Sequence, residues 1–235
     1  MKQSIYSIFY NKLPVKKEFL FPINKKRMIT FLNPYYMEIL KEYSWLYSQF
    51  DYICSDGMIP ILLNKITGNP KSSRISFDMT SIGKTVLQYA EDNQMSIYFI
   101  GAKELEIKHF IDIIKKEYPQ LNIIGFHHGY FSNDEDKIVE EIIDLKPDIV
   151  VVGMGAPKQD LFAIHLQQHG FNGTIYTCGG FIHQTCQKIN YYPHWINKLN
   201  LRTFYRLLHE PYVWKRVIKY YPSFIFKYTY FLLSK

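Results

Sequence analysis

The chain alternates short, continuous apolar runs with amphipathic stretches, and this alternation constrains its fold more than any other feature. The runs SIYFIG (96–101) and DIVVVG (148–153) are typical, and each is followed by a segment with apolar residues at helical spacing. Uninterrupted apolar runs indicate strands that are buried on both faces. Because helices connect successive strands, the pattern predicts an α/β fold with a mostly parallel sheet between two helical layers.

The same reading predicts six strands and five helices before residue 180. The strands are predicted at 27–32, 50–55, 96–101, 121–126, 148–153 and 173–179, and the helices at 34–49, 80–93, 103–118, 133–146 and 157–170. Residues 1–27 are predicted to hold a further strand and a loop. After residue 190 we expect only helices, at 201–210, 212–220 and 223–233, with Pro211 and Pro222 separating them.

Charge divides the chain into two parts. Residues 191–235 hold eight basic side chains and one acid, Glu210, which accounts for the whole formal net charge of +7. The same segment holds 14 of the chain's 40 aromatic residues. We therefore predict a catalytic domain at 1–190 and a basic, aromatic helical appendage at 191–235. Basic and aromatic residues on helices are typical of segments that lie on a membrane surface, and no nucleic-acid-binding module is recognisable.

Cysteine usage and hydropathy indicate a cytoplasmic location. The three cysteines, Cys54, Cys178 and Cys186, have no disulfide-framework spacing. The first residues do not resemble a signal peptide. No stretch reaches the roughly 18 apolar residues that a membrane-spanning helix needs.

Polar and glycine residues follow four of the predicted strands. Asn33 follows the first, Asp56 and Gly57 the second, and Gly101 and Gly153 end two later strands. Ligands of open α/β sheets bind at the carboxyl ends of the strands, where glycine lets a ligand approach the backbone. A turn between a strand and a helix also needs glycine without any ligand. Taken together, the four strand ends favour a binding site.

The segment VVGMGAPKQD (151–160) differs from the dinucleotide fingerprint. Gly153 and Gly155 fit, but Lys158 stands where the third glycine belongs, so a nicotinamide cofactor is weakly supported. Lys158 and nearby backbone amides suit a diphosphate or a sugar hydroxyl instead. We expect no cofactor and no metal, since Asp134 and Asp136 open a helix, where acids serve as caps. His165 and His169 share a helix face without an evident third ligand.

Asp56 is the acid best placed in the sequence for a catalytic role. It follows an apolar strand and precedes a glycine. At the edge of a cleft, such a carboxylate can take the proton of a hydroxyl nucleophile. An Asp-Gly pair is equally common in turns, where the side chain bonds to its own backbone. Both interpretations remain open at this point.

Several motifs together resemble a known family of enzymes. They are TFLNPYY (30–36), SDGM (55–58), RISFDMTSIG (74–83), YFIGAK (98–103), GFHHGYF (125–131), VVGMGAPKQD (151–160), CGGFIHQT (178–185) and YYPHW…FYRLLHEP (191–211). Their order and spacing are similar to those of the WecG/TagA/CpsF family of bacterial glycosyltransferases, over roughly residues 28–220. The resemblance implies a Rossmann-like α/β/α core that binds a UDP-sugar. It also implies inverting transfer to a polyprenyl-diphosphate-linked sugar at the cytoplasmic face of the membrane, for polysaccharides such as capsule or exopolysaccharide.

The resemblance also implies roles for individual residues. Asp56 takes the place of the family's general base, and Asn33 that of the asparagine at the first strand end. Arg206 and Arg216 correspond to basic residues with which the C-terminal appendage completes the site. The matching motifs supply the candidates for substrate binding: Thr30, Gly57, Arg74, Asp78, Gly101, Gly153, Gly155, Pro157, Lys158, Gln159, Gly180, His183 and Gln184. His183 stands where many members have an acid, a departure that bears on the donor sugar.

Two other classes of function remain as alternatives. One is a nicotinamide-dependent oxidoreductase, suggested by the fold class alone. The other is a non-catalytic protein of the membrane surface, suggested by the basic tail. The partners expected for a transferase are a UDP-sugar, a polyprenyl-diphosphate-linked sugar and the membrane surface, without nucleic acid. The sequence leaves a homo-oligomer open.

Overall fold

The fold is described from a computed structural model of the chain. It describes residues 3–15, 20, 26–69, 73–131, 134–189, 191, 193, 196, 202–209 and 211–235, apart from a few side chains in the last two helices.

Six strands form one sheet, as the sequence predicts. They are β1 (Arg27–Leu32), β2 (Tyr52–Ser55), β3 (Ser96–Gly101), β4 (Asn122–His127), β5 (Ile149–Gly153) and β6 (Thr174–Thr177). Their order is β2-β1-β6-β5-β3-β4. The pairs β1–β6, β6–β5, β5–β3 and β3–β4 are parallel. The predicted α/β fold with a mostly parallel sheet is confirmed.

Helices cover the sheet and continue into the C-terminal region. They are α1 (Ile5–Lys12), α2 (Pro34–Ile39), α3 (Ser44–Tyr47), α4 (Met58–Ile66), α5 (Ile82–Asp92), α6 (Glu104–Glu117), α7 (Glu135–Leu145), α8 (Lys158–Gln168), α9 (Phe181–Gln187), α10 (Arg202–His209) and α11 (Pro211–Leu233). The step from β3 to β4 and the step from β4 back to β5 run in opposite directions along the sheet. Right-handed crossovers therefore place α6 on one face and α7 and α8 on the other.

The chain divides into two compact units. The first contains residues 1–19, 31–75 and 192–235, and the second contains residues 20–30 and 76–191. The segments of the first unit are far apart in the sequence, so this unit depends on long-range contacts. The division that the sequence predicts at residue 190 stays a prediction.

The second unit is built on a core of aliphatic and aromatic side chains. Every residue of β5 is buried, as the continuous apolar run DIVVVG predicts. Phe110 of α6 contacts Phe99 of β3 and Phe181 of α9 edge to face, with ring centroids 5.1 and 5.4 Å apart. These contacts fix α6 and α9 to the same face of the sheet, and they set the positions of the helix starts that follow β3 and β6.

The N-terminal segment corrects one prediction. A strand and a loop are predicted within 1–27, but residues 5–12 form helix α1. Ser4 caps the helix by accepting a hydrogen bond from the Ser7 backbone N–H at 3.2 Å. Ile5, Ile8 and Phe9 are buried on one face, and their spacing of three and four residues is helical. The apolar pattern of this segment therefore has the helical period, and the strand predicted within 1–27 is absent from the described residues before β1.

Three further predicted helices have different bounds. The predicted helix at 34–49 is interrupted by a 3-10 turn at Lys41–Tyr43. In the tail, Pro222 lies inside the continuous helix α11 and does not separate two helices. A proline leaves the carbonyl four residues earlier without its helical partner. Ile218 and Pro222 are both exposed, so water can satisfy that carbonyl. Among the described helices, none combines the length and the hydropathy that a membrane span requires.

Candidate active site

In the first unit, the carboxyl ends of β1 and β2 bring Asn33 and Gly57 together. Asn33 caps α2, and its Oδ1 accepts a hydrogen bond from the Tyr36 backbone N–H at 3.0 Å. A Cβ added at Gly57 would lie 3.3 Å from Pro34 Cδ and 4.0 Å from Asn33 Cβ. The two strand ends that the sequence singles out are therefore neighbours. The hydrogen bond from Tyr36 fixes the orientation of the Asn33 side-chain amide.

Asp56 lies at the end of β2 beside Arg74. Its backbone N–H donates to the Leu32 carbonyl at 2.9 Å, which ties the residue to the end of β1. Its side chain is 38% exposed and lies 3.7 Å from a guanidinium nitrogen of Arg74, whose side chain is only 13% exposed. The carboxylate thus reaches solvent while a mostly buried cation orients it. This geometry suits a group that must contact a substrate hydroxyl.

Of the two tail arginines that the sequence singles out, the structure describes the side chain of one. The Arg216 guanidinium lies over the Tyr35 ring, 4.5 Å from its centroid, and Tyr35 stands two residues after Asn33. Arg216 is therefore held at the first turn of α2 by a cation–π contact. Arg206 lies in α10, but its side chain is outside the described part of the chain. Its predicted role stays a prediction.

In the second unit, Gln159 connects two glycine turns. The side chain is buried, and its Oε1 accepts from the Gly155 N–H at 3.2 Å and from the Gly179 N–H at 3.0 Å. Gly155 and Gly179 have φ values of +76° and +55°, which favour glycine. Gln159 therefore joins the turn after β5 to the turn after β6. Its observed partners are backbone groups of the protein.

A buried chain of hydroxyl groups lies beside this turn. The Thr177 hydroxyl donates to Thr30 Oγ1 at 2.9 Å, and the Thr30 hydroxyl donates to Asp160 Oδ1 at 2.7 Å. All three residues are fully buried. The network connects β6, β1 and the first turn of α8. Thr30, a predicted binding residue, thus has buried partners within the protein, Asp160 and Thr177.

Close backbone contact explains why glycine ends β3. A Cβ at Gly101 would lie 2.3 Å from the Gly153 carbonyl oxygen, and Gly101 has a φ of +135°. No other residue fits there without moving one of the two strands.

Lys158, which follows the N-cap residue Pro157 of α8, donates from its ammonium to the Gly129 carbonyl at 2.7 Å. The Lys158 ammonium also lies 5.0 Å from the Phe131 ring centroid. It therefore binds the loop after β4.

Asp78 has partners within its own turn. Its carboxylate accepts from the Ser76 hydroxyl at 2.5 Å and from the Thr80 backbone N–H at 2.8 Å. The Asp78 backbone is packed against Gly83, where a Cβ would lie 2.8 Å from the Asp78 carbonyl oxygen. Asp78 thus shapes the entry to α5 within the RISFDMTSIG motif.

His183 lies in the first turn of α9 and pairs with Glu106. Its Nδ1 is 2.8 Å from Glu106 Oε1, while the other oxygen of Glu106 accepts from the Lys103 backbone N–H at 2.9 Å. Burial acts to raise the pKa of Glu106. The hydrogen bonds from the Lys103 backbone and from His183 outweigh it and lower that pKa. Gly180 is the exposed N-cap residue of the same helix, and Gln184 is the fourth residue of that helix.

The candidate metal residues have other partners. His165 Nδ1 lies 3.0 Å from Glu135 Oε1, and Asp134 pairs with Lys137 at 2.7 Å. Asp134 takes the N-cap position of α7, as predicted, but its side chain makes no capping hydrogen bond. Within the described residues, no group of three or more metal-ligating side chains converges.

An α/β fold with glycine turns and polar side chains at the carboxyl ends of its parallel strands is typical of enzymes that bind ligands at those ends. The model of the Glycosyl transferase WecG/TagA/CpsF family matches residues 16–234 of this chain. The chain belongs to this family and is a glycosyltransferase. The resemblance found in the motifs is therefore confirmed, and the alternatives of an oxidoreductase and of a non-catalytic protein lose their support.

The chain is also similar in sequence to individual glycosyltransferases of known name. The chain is 38% identical over 203 residues to the UDP-Gal:alpha-D-GlcNAc-diphosphoundecaprenol beta-1,4-galactosyltransferase of Shigella boydii, covering 86% of this chain and 85% of that protein. It is 32% identical to the N-acetylglucosaminyldiphosphoundecaprenol N-acetyl-beta-D-mannosaminyltransferase of Bacillus subtilis, covering 76% of this chain and 68% of that protein. A Staphylococcus aureus enzyme of the same name as the Bacillus protein is 28% identical, with coverage of 79% and 71%.

Proposed function

We propose that the protein is an inverting glycosyltransferase that moves a sugar from a UDP-sugar to a polyprenyl-diphosphate-linked saccharide. The reaction belongs to bacterial surface polysaccharide biosynthesis and takes place at the inner face of the cell membrane. The observation that carries the proposal is the similarity to relatives that use GlcNAc-diphosphoundecaprenol.

The relatives' names also support the stereochemistry. The sugar of UDP-galactose is α-linked, and the Shigella enzyme is named for a β-1,4 linkage. One displacement at the anomeric carbon accounts for this change of configuration. An inverting reaction of this kind needs a base for the acceptor hydroxyl and a site that holds the leaving nucleotide.

Asp56 is our candidate for the base. In the proposed step, the acceptor hydroxyl transfers its proton to the Asp56 carboxylate, and its oxygen forms a bond to the anomeric carbon of the donor. The bond between that carbon and the phosphate oxygen breaks, and UDP leaves with the electron pair. Arg74 orients the carboxylate at 3.7 Å, and Asn33 at the neighbouring strand end is our second catalytic candidate.

We assign the nucleotide-sugar to the glycine turns that follow β5 and β6. Gly153, Gly155, Pro157 and Lys158 surround the start of α8, where backbone N–H groups favour an anion. Gln159 holds this turn in shape. Arg216 is assigned to the diphosphate, because a guanidinium can bind phosphate oxygens in a bidentate manner. The other substrate-binding residues predicted from the motifs, Thr30, Gly57, Asp78, Gly101, Gly180, His183, Gln184 and Arg206, remain part of the proposal.

Ligand-dependent melting is the direct test of the donor. A ligand that binds only the folded state raises the melting temperature by mass action. We expect UDP and UDP-galactose to raise it, since the relative at 38% identity is named for UDP-Gal, and we expect NADH to leave it unchanged. A shift with NADH but none with UDP or any UDP-sugar would contradict the proposal.

The outer face of α11 supports the membrane part of the proposal. We use this name for its exposed apolar side chains and the exposed lysines beside them: Trp214, Lys215, Ile218, Lys219, Ile225, Phe226, Tyr230 and Leu233. Phe226 and Tyr230 are 74% and 71% exposed. Aromatic and aliphatic side chains flanked by lysines suit the boundary between headgroups and acyl chains. Each lysine adds on the order of 1 kcal/mol near anionic lipid.

Cosedimentation with vesicles tests this assignment. We expect the protein to bind vesicles that contain phosphatidylglycerol, and Phe226→Asp to weaken that binding because it places a charge at the apolar boundary. Leu105→Asp is the matched control, since Leu105 is an 80% exposed apolar residue of α6. Equal losses in the two variants, or no binding by the wild type, would argue against membrane contact through α11.

A further inference from the structure

A buried carboxylate ties three helices of the first unit together. The Glu38 side chain of α2 is only 5% exposed, and one of its oxygens accepts from Lys227 at 3.0 Å and from the Ser223 hydroxyl at 2.9 Å. Its other oxygen accepts from the Tyr6 hydroxyl of α1. We call Glu38, Tyr6, Ser223 and Lys227 the Glu38 cluster. A buried charge is stable only when its oxygens are satisfied in this way.

The cluster favours the ionised form of Glu38. Burial acts to raise the pKa of this carboxyl group. The hydrogen bonds from Tyr6, Lys227 and Ser223 and the charge of Lys227 outweigh it and lower that pKa. Hydrogen bonds to a charged acceptor are strong and directional, so the cluster holds α11 against α2 at one rotation about the axis of α11.

The contact continues along α11 to Arg216. Arg216, Tyr220, Ser223 and Lys227 follow one another at intervals of four, three and four residues, so they share one face of the helix. On α2, Tyr35 precedes Glu38 by three residues and lies on the same side. Arg216 is 4.5 Å and Tyr220 is 5.2 Å from the Tyr35 ring centroid. The Glu38 cluster and the Arg216–Tyr35 stack are therefore two ends of one helix–helix contact.

Buried side chains next to this face also hold α11 in place. Phe224 and Tyr228 are fully buried, their rings stack with centroids 5.2 Å apart, and the Tyr228 hydroxyl donates to Asn64 Oδ1 of α4 at 2.9 Å. Apolar burial is not directional, but the hydrogen bond to Asn64 is, so Tyr228 and Glu38 together fix the rotation of α11. A rotation of α11 would carry Arg216 away from Tyr35 and from the first turn after Asn33. The hydrogen bonds of Glu38 oppose that movement.

We propose that Glu38 is a positioning residue of the transferase, which acts through Arg216 by fixing the rotation of α11 against α2. The proposal rests on the function proposed above, in which Arg216 binds the diphosphate. Glu38 itself contacts no substrate in this scheme. Its effect therefore depends on the presence of the Arg216 guanidinium.

A double-mutant cycle separates this role from a purely structural one. Arg216→Ala is expected to raise the KM for the UDP-sugar by roughly 10- to 100-fold, since a hydrogen-bonded charge pair is lost. Glu38→Gln keeps the size of the side chain and removes its charge, and we expect a KM increase in the same direction with a smaller change in kcat. In the Arg216→Ala background, Glu38→Gln should have little further effect on KM.

Two KM results would contradict a role of Glu38 through Arg216. If the effects of Glu38→Gln and Arg216→Ala on KM multiply, or if Glu38→Gln leaves KM unchanged, Glu38 does not act through Arg216. Glu42→Gln is the matched control, because Glu42 is an exposed acid of the neighbouring 3-10 turn. If Glu38→Gln does not fold, Ser223→Ala replaces it in the cycle, since it removes one donor of the cluster. A wild type without transferase activity would instead contradict the proposed function.

Discussion

Asp56→Asn is expected to lower glycosyl transfer by roughly 10²- to 10⁴-fold, the usual contribution of a general base. Asparagine keeps the size and shape of the side chain but does not take up a proton at neutral pH. The backbone N–H of residue 56 still donates to the Leu32 carbonyl, so the end of β2 keeps its place. The loss should therefore appear in kcat, measured with saturating UDP-sugar and a GlcNAc-diphosphate lipid acceptor.

Binding measurements show whether Asp56→Asn affects only the chemical step and leaves nucleotide binding intact. The melting-temperature shift caused by UDP should persist in the variant, because the nucleotide is assigned to other residues. Asp51→Asn is a matched control, as Asp51 is an exposed acid at the opposite end of β2. Near-normal turnover in Asp56→Asn would remove Asp56 from the role of base, and the Asp-Gly pair would then be only a turn.

The strands were predictable because their signal is local and strong. Uninterrupted apolar runs such as DIVVVG occur where both faces of a strand are covered, and every residue of β5 is indeed buried. The predicted strand at 148–153 and the observed strand Ile149–Gly153 differ by one residue. The helices between the strands carry an apolar stripe, so the alternation itself defined the parallel sheet.

The errors lie where long-range packing decides the structure. Helix α1 has eight residues, and an isolated helix of that length is unstable in water. Its buried residues Phe9 and Tyr10 contact Tyr228 and Phe231 of α11, more than 200 positions away. The same packing supports α11 across Pro222, where local rules predicted a break. A single sequence does not state these partners.

For the candidate site as well, residues within local motifs were predictable, whereas their distant partners were not. The motifs that resemble the family made Gln159, Lys158 and Thr30 candidates for substrate binding. Their partners were not visible: Thr30 bonds to Asp160, 130 positions away, and Lys158 bonds to Gly129. Glu38 was missed although an acid inside an otherwise apolar helix start, PYYMEI, is a signal of a buried, paired charge.

Gln159→Leu is expected to abolish the effect of UDP on melting and to destabilise the fold by about 1–3 kcal/mol. The side-chain oxygen accepts from the N–H groups of Gly155 and Gly179. Both glycines are only partly buried, so each lost hydrogen bond costs about 0.5–1.5 kcal/mol. Leucine fills a similar volume, so the effect comes from the lost acceptor. Chemical denaturation measures the free energy of unfolding, and ligand-dependent melting measures UDP binding.

A second leucine substitution on α8 tests whether the position or the residue type matters. Gln168→Leu changes an exposed glutamine at the last turn of the same helix, and we expect a change in the free energy of unfolding of no more than about 0.5 kcal/mol. UDP binding should be retained there, since the turns after β5 and β6 are untouched. If Gln159→Leu bound UDP as the wild type does, the two glycine turns would not form the nucleotide site. If it were as stable as Gln168→Leu, the shared acceptor would not be what holds the turns together.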